Sequence, residues 1–360
     1  PIYIKSLGAS MAELGYIFAA STAVAAILQL MSGPLSDRYG RRNLHLIGTF
    51  MAFLPPLMYT FAKSWMDLIP WVILFGASVG IYTPIRWSMV SDLSTSERRG
   101  KAFSLINMSY YTGFVAGPFL GGFMADFYHV RAPLFLCFIL LALTFPLSLL
   151  IPETGKKKDN AFMEEDYEKE ASFIKVMTIF SFMYFIEGMG LGLFNPVTPV
   201  FVVKRFSVDL SFVGLLYTLG NGVVSTILQV PGGWLADRYD KRKVVIIAYF
   251  IAAPFFLLFA LASETWELFI FMALSLGLIS LPWSAHQSLR MNMTPRVRWG
   301  FVNALSYTMF WGGMTAGSAL SGILWENFGM LTPYYASAIS MFLAVIPIFF
   351  LDKEKSEFEE

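Results

Sequence analysis

One acidic side chain lies deep inside an apolar stretch of this sequence. Glu187 is the only Asp or Glu between residues 171 and 208, within the segment FIEGMG at 185–190. A carboxyl group in an apolar medium is costly unless it is paired, hydrated or used, and such groups often carry protons. We therefore predict that Glu187 exchanges a proton; the alternative is a carboxyl group that is protonated or paired only for packing.

Two further polar clusters interrupt apolar stretches. Arg86 could bind an anionic substrate, serve as the counter-ion of Glu187, or extend its chain to the membrane surface. His286 and Gln287 follow Trp283 by about one helical turn. A proline precedes each cluster, and the two prolines are 198 residues apart. We expect the two clusters at equivalent depths in two related halves.

The composition is that of a membrane protein. Of the 360 residues, 56% are hydrophobic, 17% aromatic and 14% charged, whereas soluble domains carry about 25% charged residues. This excludes a disordered chain, a secreted disulfide scaffold and most soluble enzymes. The single cysteine, Cys137, cannot form an internal disulfide, and the sequence has neither metal-ligand Cys/His spacing nor a phosphate-binding loop. We expect no enzymatic activity, no cofactor and no metal.

Eleven apolar runs are long enough to cross a bilayer as helices, which takes about 20 residues each. They lie near 11–32, 43–62, 67–91, 101–125, 131–151, 173–203, 210–231, 244–262, 267–290, 300–325 and 332–351. Basic residues concentrate in alternate gaps, and basic loops stay in the cytoplasm. We predict a multi-pass protein of the cell membrane with a cytoplasmic C-terminus; the gaps assigned to the cytoplasm include Arg38, Arg41, Arg42, Arg98, Arg99, Lys101, Arg238, Lys241, Arg242, Lys243, Arg290, Arg296 and Arg298.

The sequence repeats itself at an offset of 200 residues. Segment 27–42, ILQLMSGPLSDRYGRR, matches segment 227–242, ILQVPGGWLADRYDKR, at nine of sixteen positions. Segment 1–3 likewise matches 199–201, near the end of the 173–203 run. The second half has one helix before that point which the first half lacks. We therefore expect twelve spans in the complete protein, with span 1 missing from this chain.

The repeated segment resembles the signature loop of the major facilitator superfamily. The first copy is GPLSDRYGRR at 33–42, and the second is GWLADRYDKR at 233–242, which departs from the usual glycine at Asp240. The resemblance covers the whole chain and implies an all-α membrane protein with the major-facilitator fold, two pseudo-symmetric six-helix bundles. The expected domains are a first bundle at 1–151, a cytoplasmic linker at 152–172, a second bundle at 173–351 and a cytoplasmic tail at 352–360.

The same resemblance implies a conformational latch. Asp37 would meet the start of span 11 in the opposite half, and Asp92 would pair with the arginines to hold the cytoplasmic side shut. A carboxylate near a helix N-terminus gains about 0.3–1 kcal/mol, which suits a reversible contact. The alternative is that these charges only set the topology. The predicted latch residues are Gly33, Asp37, Arg38, Arg42, Asp92, Gly233, Asp237, Arg238 and Arg242.

Span 5 contains a glycine-proline segment similar to the signature of the proton-coupled export branch of that superfamily. Glycines four residues apart share one helix face and let another helix approach closely, and the proline permits a kink. The upstream glycine of the family pattern is Ser104 here. Ordinary helix packing is the alternative. The segment comprises Gly113, Gly117, Pro118, Gly121 and Gly122.

In the resembling fold, spans 1, 4, 7 and 10 line a central cavity and spans 2, 5, 8 and 11 flank it. Polar and aromatic residues on these spans are therefore candidates for binding substrate. The candidate cavity residues are Arg86, Trp283, His286, Gln287, Asn195, Phe194, Asn221, Asn107, Tyr110, Tyr111, Trp311, Gln29 and Gln229.

These features predict a secondary active transporter that works by alternating access. The many aromatic residues and the single deep acid favour proton-coupled export of hydrophobic or amphipathic small molecules by a monomer in the lipid bilayer, and nothing indicates nucleic-acid binding. One alternative is a uniporter or proton symporter for an organic anion or a sugar, with Arg86 binding a carboxylate. Another is a transport-inactive sensor or a lipid-moving protein on the same fold.

Overall fold

The chain folds into long helices. The computed structural model describes residues 1–95, 98–154, 167–294 and 299–351, and within these it describes only the backbone at 37, 99–100, 103–104, 167–172 and 299–300. No strand occurs in the described ranges. The helices are α1 (Ile2–Ser6), α2 (Met11–Tyr39), α3 (Arg41–Phe61), α4 (Ile69–Leu93), α5 (Arg99–Phe127), α6 (Ala132–Ser148), α7 (Tyr167–Phe194), α8 (Thr198–Phe206), α9 (Leu210–Arg238), α10 (Lys241–Leu261), α11 (Thr265–Asn292), α12 (Trp299–Phe328) and α13 (Thr332–Phe350).

All eleven predicted runs coincide with helices. Within the described ranges, 8 helical segments are long and apolar enough to cross a membrane, and they comprise α2, α3, α4, α7 with α8, α9, α10, α11 and α13. The other three runs form α5 and α12, with 29 and 30 residues, and α6, with 17. The central linker is described only at 152–154 and from Tyr167, where α7 already begins, and the predicted tail at 352–360 lies outside the described residues.

The segments predicted as signature loops are mostly helical. Gly33 and Pro34 lie inside α2, which continues to Tyr39, and the second copy continues as α9 to Arg238. The prediction of a loop at 33–39 and 233–238 was wrong because a continuous helix satisfies the backbone groups near the membrane surface even when it contains proline. Between α2 and α3 the chain turns at Gly40 alone. The φ angle of Gly40 is 88°, a value that is strained for other residues.

The helices repeat as the sequence does. Helices α2 to α6 correspond in order to α9 to α13, and the bounds of α3 and α10 differ by 200 at both ends. Helices α7 and α8 precede the second set. We call one end of the helices the basic end, because it carries Arg38, Arg42, Arg238 and Arg242. The other end, at which α2 and α9 begin, is the opposite end.

Each set of helices packs into a bundle. In the first bundle α4 packs against α2 and α3, and α6 packs against α3 and α5. In the second, α7 packs against α12 and α13, while α10 and α11 complete the bundle with α9. The largest buried cluster lies mainly in the second bundle. The bundles meet along two helix pairs, α2 with α12 and α5 with α9.

Candidate functional site

Glu187 lies on α7 inside the second bundle. Its side chain is 4% exposed, and its Oε2 atom has no hydrogen-bond partner among the described residues. The hydroxyl group of Tyr249 on α10 interacts with the carboxyl group. The predicted proton-coupling residue is thus surrounded by helices, with a phenol as its polar neighbour.

A fully buried arginine lies in the same bundle, although the charge pattern predicts a loop at this position. Arg290 on α11 is 0% exposed and donates hydrogen bonds to the side-chain oxygens of Gln287 and Asn303. Its guanidinium carbon lies 5.1 Å from the ring centroid of Tyr184. Across the described ranges no carboxylate forms an ion pair with Arg290. Amide oxygens and an aromatic ring therefore stabilise this charge.

Aromatic rings connect the arginine to the region of Glu187. Tyr184 lies one turn before Glu187 on α7, and the ring of His286 stacks on it with 4.6 Å between centroids. Gln287 donates from Nε2 to the hydroxyl group of Tyr307 over 3.3 Å. These groups form a continuous set of polar and aromatic side chains inside the second bundle. The set consists of Glu187, Tyr249, Tyr184, His286, Arg290, Gln287, Asn303 and Tyr307.

Arg86 lies on α4 in the first bundle, stacked on aromatic rings. Its guanidinium carbon is 5.7 Å from the centroid of Tyr82 and 5.1 Å from that of Trp87. Its Nε atom has no hydrogen-bond partner within the described part of the chain. Arg86 and Glu187 form no ion pair. The counter-ion hypothesis therefore fails for this conformation, whereas a role in binding an anion remains a prediction.

Three predicted cavity residues are buried inside the bundles. Phe194 is 0% exposed and packs edge-on against Phe256 and Phe259, with centroids 5.1 and 5.2 Å apart. Gln29 and His286 are 4% and 1% exposed. All three are buried in this conformation, because membership of a cavity-lining span does not decide which face of the helix a residue occupies. Their contact with substrate stays a prediction.

The remaining candidates are partly or fully exposed. Trp283, Asn107 and Tyr110 are exposed, and intermediate exposure is found for Gln287, Asn195, Asn221, Tyr111, Trp311 and Gln229. Tyr111 on α5 interacts with Gln229 on α9 and so contacts the other bundle. Asn221 accepts a hydrogen bond from Ser225 over 3.0 Å. These residues stay candidates for contact with substrate.

The signature segments make contacts within each bundle. Asp92 pairs with Arg41, between α3 and α4. Arg42 donates to the carbonyl oxygen of Leu149 over 2.9 Å, and Arg242 donates to that of Phe349 over 3.3 Å. Equivalent arginines thus hold equivalent helix ends in the two halves.

The predicted latch between the halves is not formed by the residues that can be described. Arg38 and Arg238 lie over neighbouring rings on their own helices, and Asp237 is exposed. A β-carbon on Gly33 would meet no heavy atom within 4 Å, and one on Gly233 would meet only the Ser284 hydroxyl at 4.0 Å. The side chain of Asp37 lies outside the described part.

The glycine-proline segment of α5 packs against α9 through one of its faces. A β-carbon on Gly122 would overlap with the carbonyl group of Leu210, and one on Gly214 would overlap with that of Pro118. These two helices therefore touch through their backbones, as glycine-mediated contacts between membrane helices do.

The face of α5 with glycines four residues apart makes no such contact. A β-carbon on Gly113 or Gly117 would meet no described heavy atom within 4 Å, and one on Gly121 would meet only Pro133, at 3.9 Å. Close packing at these three glycines, which the spacing predicts, is absent from the described residues.

The two bundles touch at the opposite end and separate toward the basic end. The hydroxyl groups of Thr22 and Thr315 are 2.9 Å apart, and Thr218 donates to the carbonyl oxygen of Val115 over 2.8 Å. The contact of Tyr111 with Gln229 also joins the bundles and lies just beyond the middle of these helices, toward the basic end. Toward the basic end, the four successive residues 107–110 of α5 are all exposed, so no described helix covers this turn. The interface is therefore closed at one end and open at the other.

Comparison with known proteins agrees with this architecture. The family model of the Major Facilitator Superfamily matches residues 1–181 and again 180–360. An uncharacterised MFS-type transporter of Methanocaldococcus jannaschii is 27% identical over 94% of this chain and 88% of its own length. Multidrug resistance protein 2 of Bacillus subtilis is 25% identical over 91% of this chain and 83% of its own length.

A solved structure has the same fold. The crystal structure of a D-xylose-proton symporter covers 98% of this chain and 91% of its own chain, with a TM-score of 0.78 and 14% identity. Both halves of the sequence match one family model, and the helices form the two bundles of that family. The chain belongs to the major facilitator superfamily of membrane transporters.

Proposed function

We propose that this protein is a secondary active transporter that exports hydrophobic or amphipathic small molecules in exchange for protons. The observation that carries the proposal is Glu187, a buried acid with an unpartnered oxygen, in a protein whose bundle interface is closed at one end only. The Bacillus subtilis relative is named a multidrug resistance protein, which supports a cargo of this kind.

The proposed orientation places the basic end in the cytoplasm. Membrane proteins retain arginine-rich loops on that side, and the basic end carries the arginines of both signature segments. With this orientation the described conformation faces inward, closed toward the outside. Alternating access then requires the opposite end to open and the basic end to close.

The packing of α7 supplies a route from the proton to the bundle interface. A β-carbon on Gly188, the residue after Glu187, would overlap with the carbonyl group of Phe310 on α12. Helix α12 packs in turn against α2 of the first bundle. A change of charge at residue 187 therefore acts on a helix that contacts the moving partner, which is the arrangement that coupling requires.

The proposal is tested with the full-length protein in proteoliposomes under an imposed pH gradient. Internal pH is recorded while a lipophilic cation, a sugar and a carboxylate are added in turn. We expect the lipophilic cation to drive proton movement in the wild type, and a loss of at least tenfold in Glu187→Gln. The control is Glu264→Gln, an exposed acid at the start of α11. Equal proton movement in Glu187→Gln and the control would contradict the role of Glu187.

A carrier of organic anions is the second candidate, and Arg86 is the observation that favours it. Its guanidinium group is stacked on two rings and has no carboxylate partner among the described residues. A carboxylate would gain a charged donor there. Movement of protons on addition of the carboxylate but not of the cation, and its loss in Arg86→Lys, would favour this candidate over drug export.

A further inference from the structure

At the opposite end, two carboxylates accept hydrogen bonds from helices of the other bundle. Asp126, near the end of α5, accepts hydrogen bonds from the backbone N–H groups of Leu210 and Ser211 at the start of α9, over 3.1 and 2.6 Å. Glu326, near the end of α12, accepts from the N–H groups of Met11 and Ala12 at the start of α2, over 2.6 and 3.1 Å.

The two contacts are copies of each other. Asp126 and Glu326 are 200 residues apart, as are α5 and α12 to within one residue. The first N–H groups of a helix have no partner within the helix, and its N-terminus carries a partial positive charge. Each carboxylate therefore satisfies two such groups and receives favourable electrostatics from the helix. Charge-assisted hydrogen bonds of this kind are among the strong ones.

The contacts lie where the helix backbones of the two bundles touch. Next to Asp126, Gly122 brings α5 against the backbone of Leu210; next to Glu326, a β-carbon on Gly322 would overlap with the carbonyl group of Met11. Opening this end must separate α5 from α9 and α2 from α12. Separation by even a few ångströms breaks all four hydrogen bonds, because such bonds are limited to about 3.2 Å.

We propose that Asp126 and Glu326 are positioning residues of the transport cycle, which act as two carboxylate clasps that hold the extracellular gate shut. The clasps stabilise the inward-facing state and are released each time the gate opens. This inference rests on the proposed alternating access and orientation, and goes beyond them by naming the groups that set the equilibrium between the two states.

The chain offers a matched control for each clasp. Asp209 stands at the start of α9 but makes no side-chain hydrogen bond to that helix, so Asp209→Asn removes a charge without removing a clasp. Glu13 forms a capping box with Ser10 at the start of α2, so Glu13→Gln weakens a cap that stays within the first bundle.

The experiment measures the distance across the gate in the full-length protein in lipid nanodiscs. Spin labels are placed at Lys63→Cys and Ser263→Cys, exposed residues of the opposite end in the first and second bundles, after the only cysteine is replaced by Cys137→Ser. Pulsed electron–electron double resonance then reports the populations of short and long distances between the labels. The sample contains no substrate and has no pH gradient.

We expect Asp126→Asn and Glu326→Gln each to raise the ratio of long to short distances by roughly tenfold, and the double variant to raise it by roughly their product. Asp209→Asn and Glu13→Gln should leave the ratio within about twofold of the unsubstituted protein. Distances in both clasp variants that match those of the controls would overturn the proposal.

A second measurement replaces one clasp by a covalent link and keeps Glu326. In the Cys137→Ser background, the pair Asp126→Cys and Ser211→Cys can be joined by an oxidant; transport should stop on oxidation and return on reduction, and transport that is indifferent to the cross-link would contradict gate opening at this contact. The distance measurement needs no proton coupling. If the clasp variants shift the distances but Glu187→Gln leaves proton movement unchanged, the proposed coupling is wrong and the clasps stand. If Glu187→Gln loses proton movement but the clasp variants leave the distances unchanged, the coupling stands and the clasps are wrong.

Discussion

At the scale of single residues, Arg290 is the one arginine among the large, fully buried side chains of the described residues. This guanidinium group has no carboxylate partner among the described residues, and it is tolerated there because the amide oxygens of Gln287 and Asn303 and the ring of Tyr184 surround it. It ties α11 to α7 and α12 at once. Arginine is required for this task, since its planar group can donate to two amides while its face lies on a ring.

Arg290→Lys should therefore destabilise the second bundle despite the retained charge. One ammonium group cannot reach both amide oxygens in the same geometry, and a buried acceptor left without a donor costs about 1–3 kcal/mol. We expect a lower midpoint of thermal unfolding in detergent. Arg38→Lys, an exposed arginine that lies over Tyr39, should change the unfolding free energy by less than about 0.5 kcal/mol. An unchanged midpoint for Arg290→Lys would show that the network does not hold the bundle together.

At the scale of elements, glycine serves mainly to bring helix backbones together. The spacing of Gly188, Gly190 and Gly192 before a proline suggests a flexible stretch, yet each of the three packs against α12 or α13, where an added β-carbon would overlap or lie close. Helix α7 is thereby fixed to its two neighbours. The helical backbone is interrupted only farther along, at 195–197, where α7 ends before α8 begins.

The two halves contain a matched pair of glycines that tests this packing. A β-carbon on Gly313 would overlap with the carbonyl group of Phe185, whereas one on its repeat equivalent Gly113 would meet no described heavy atom within 4 Å beyond the backbone of its own helix. Alanine favours a helix over glycine by about 1 kcal/mol, and overpacking costs about 1–3 kcal/mol. We expect Gly313→Ala to lower the unfolding midpoint and Gly113→Ala to raise it slightly, as measured by tryptophan fluorescence. Equal midpoints would mean that α7 and α12 can separate without cost.

At the scale of the whole molecule, the arginine contacts and most contacts between the bundles lie at different ends of the helices. The ion pair of Arg41 with Asp92 and the carbonyl contacts of Arg42 and Arg242 lie at the basic end. The opposite end has few arginines and carries the contacts between bundles. We propose that the basic end sets the topology and holds each bundle together, and that the opposite end acts as the gate.

The orientation predicts which cysteines a membrane-impermeant maleimide can reach in intact cells. In a Cys137→Ser background, Lys63→Cys at the opposite end should be labelled from outside. Asp240→Cys, in the turn between α9 and α10 at the basic end, should be labelled only after the membrane is permeabilised. Both residues are exposed, so burial does not confuse the result. The reverse pattern would invert the proposed topology.

Much of the fold follows from the sequence because each helix is a run of apolar residues that must cross about 30 Å of hydrocarbon. The repeat at 27–42 and 227–242 predicts the correspondence of the two bundles as well. Helix ends were predicted less well: Gly33 and Pro34 indicate a loop by composition, but the helix continues because it satisfies its own backbone.

The site was harder to predict, since a sequence does not state which face of a helix meets another bundle. Glu187 was identifiable because its neighbours in the sequence are apolar. Arg290 was hidden among loop arginines, and Phe194 was assigned to a cavity although it lies in an aromatic cluster. Asp126 and Glu326 have one visible signal, their identical position in the repeat. Their partners come from the other half of the chain and could not be read from local sequence.

The pairing of Asp126 with α9 and of Glu326 with α2 has a mechanical consequence. The two contacts lie on different helix pairs, so parting the bundles must break both. Because each contact adds its own share to the free energy of opening, a chance rupture of one leaves the share of the other in place. The gate therefore stays mostly closed against leakage until both contacts have broken.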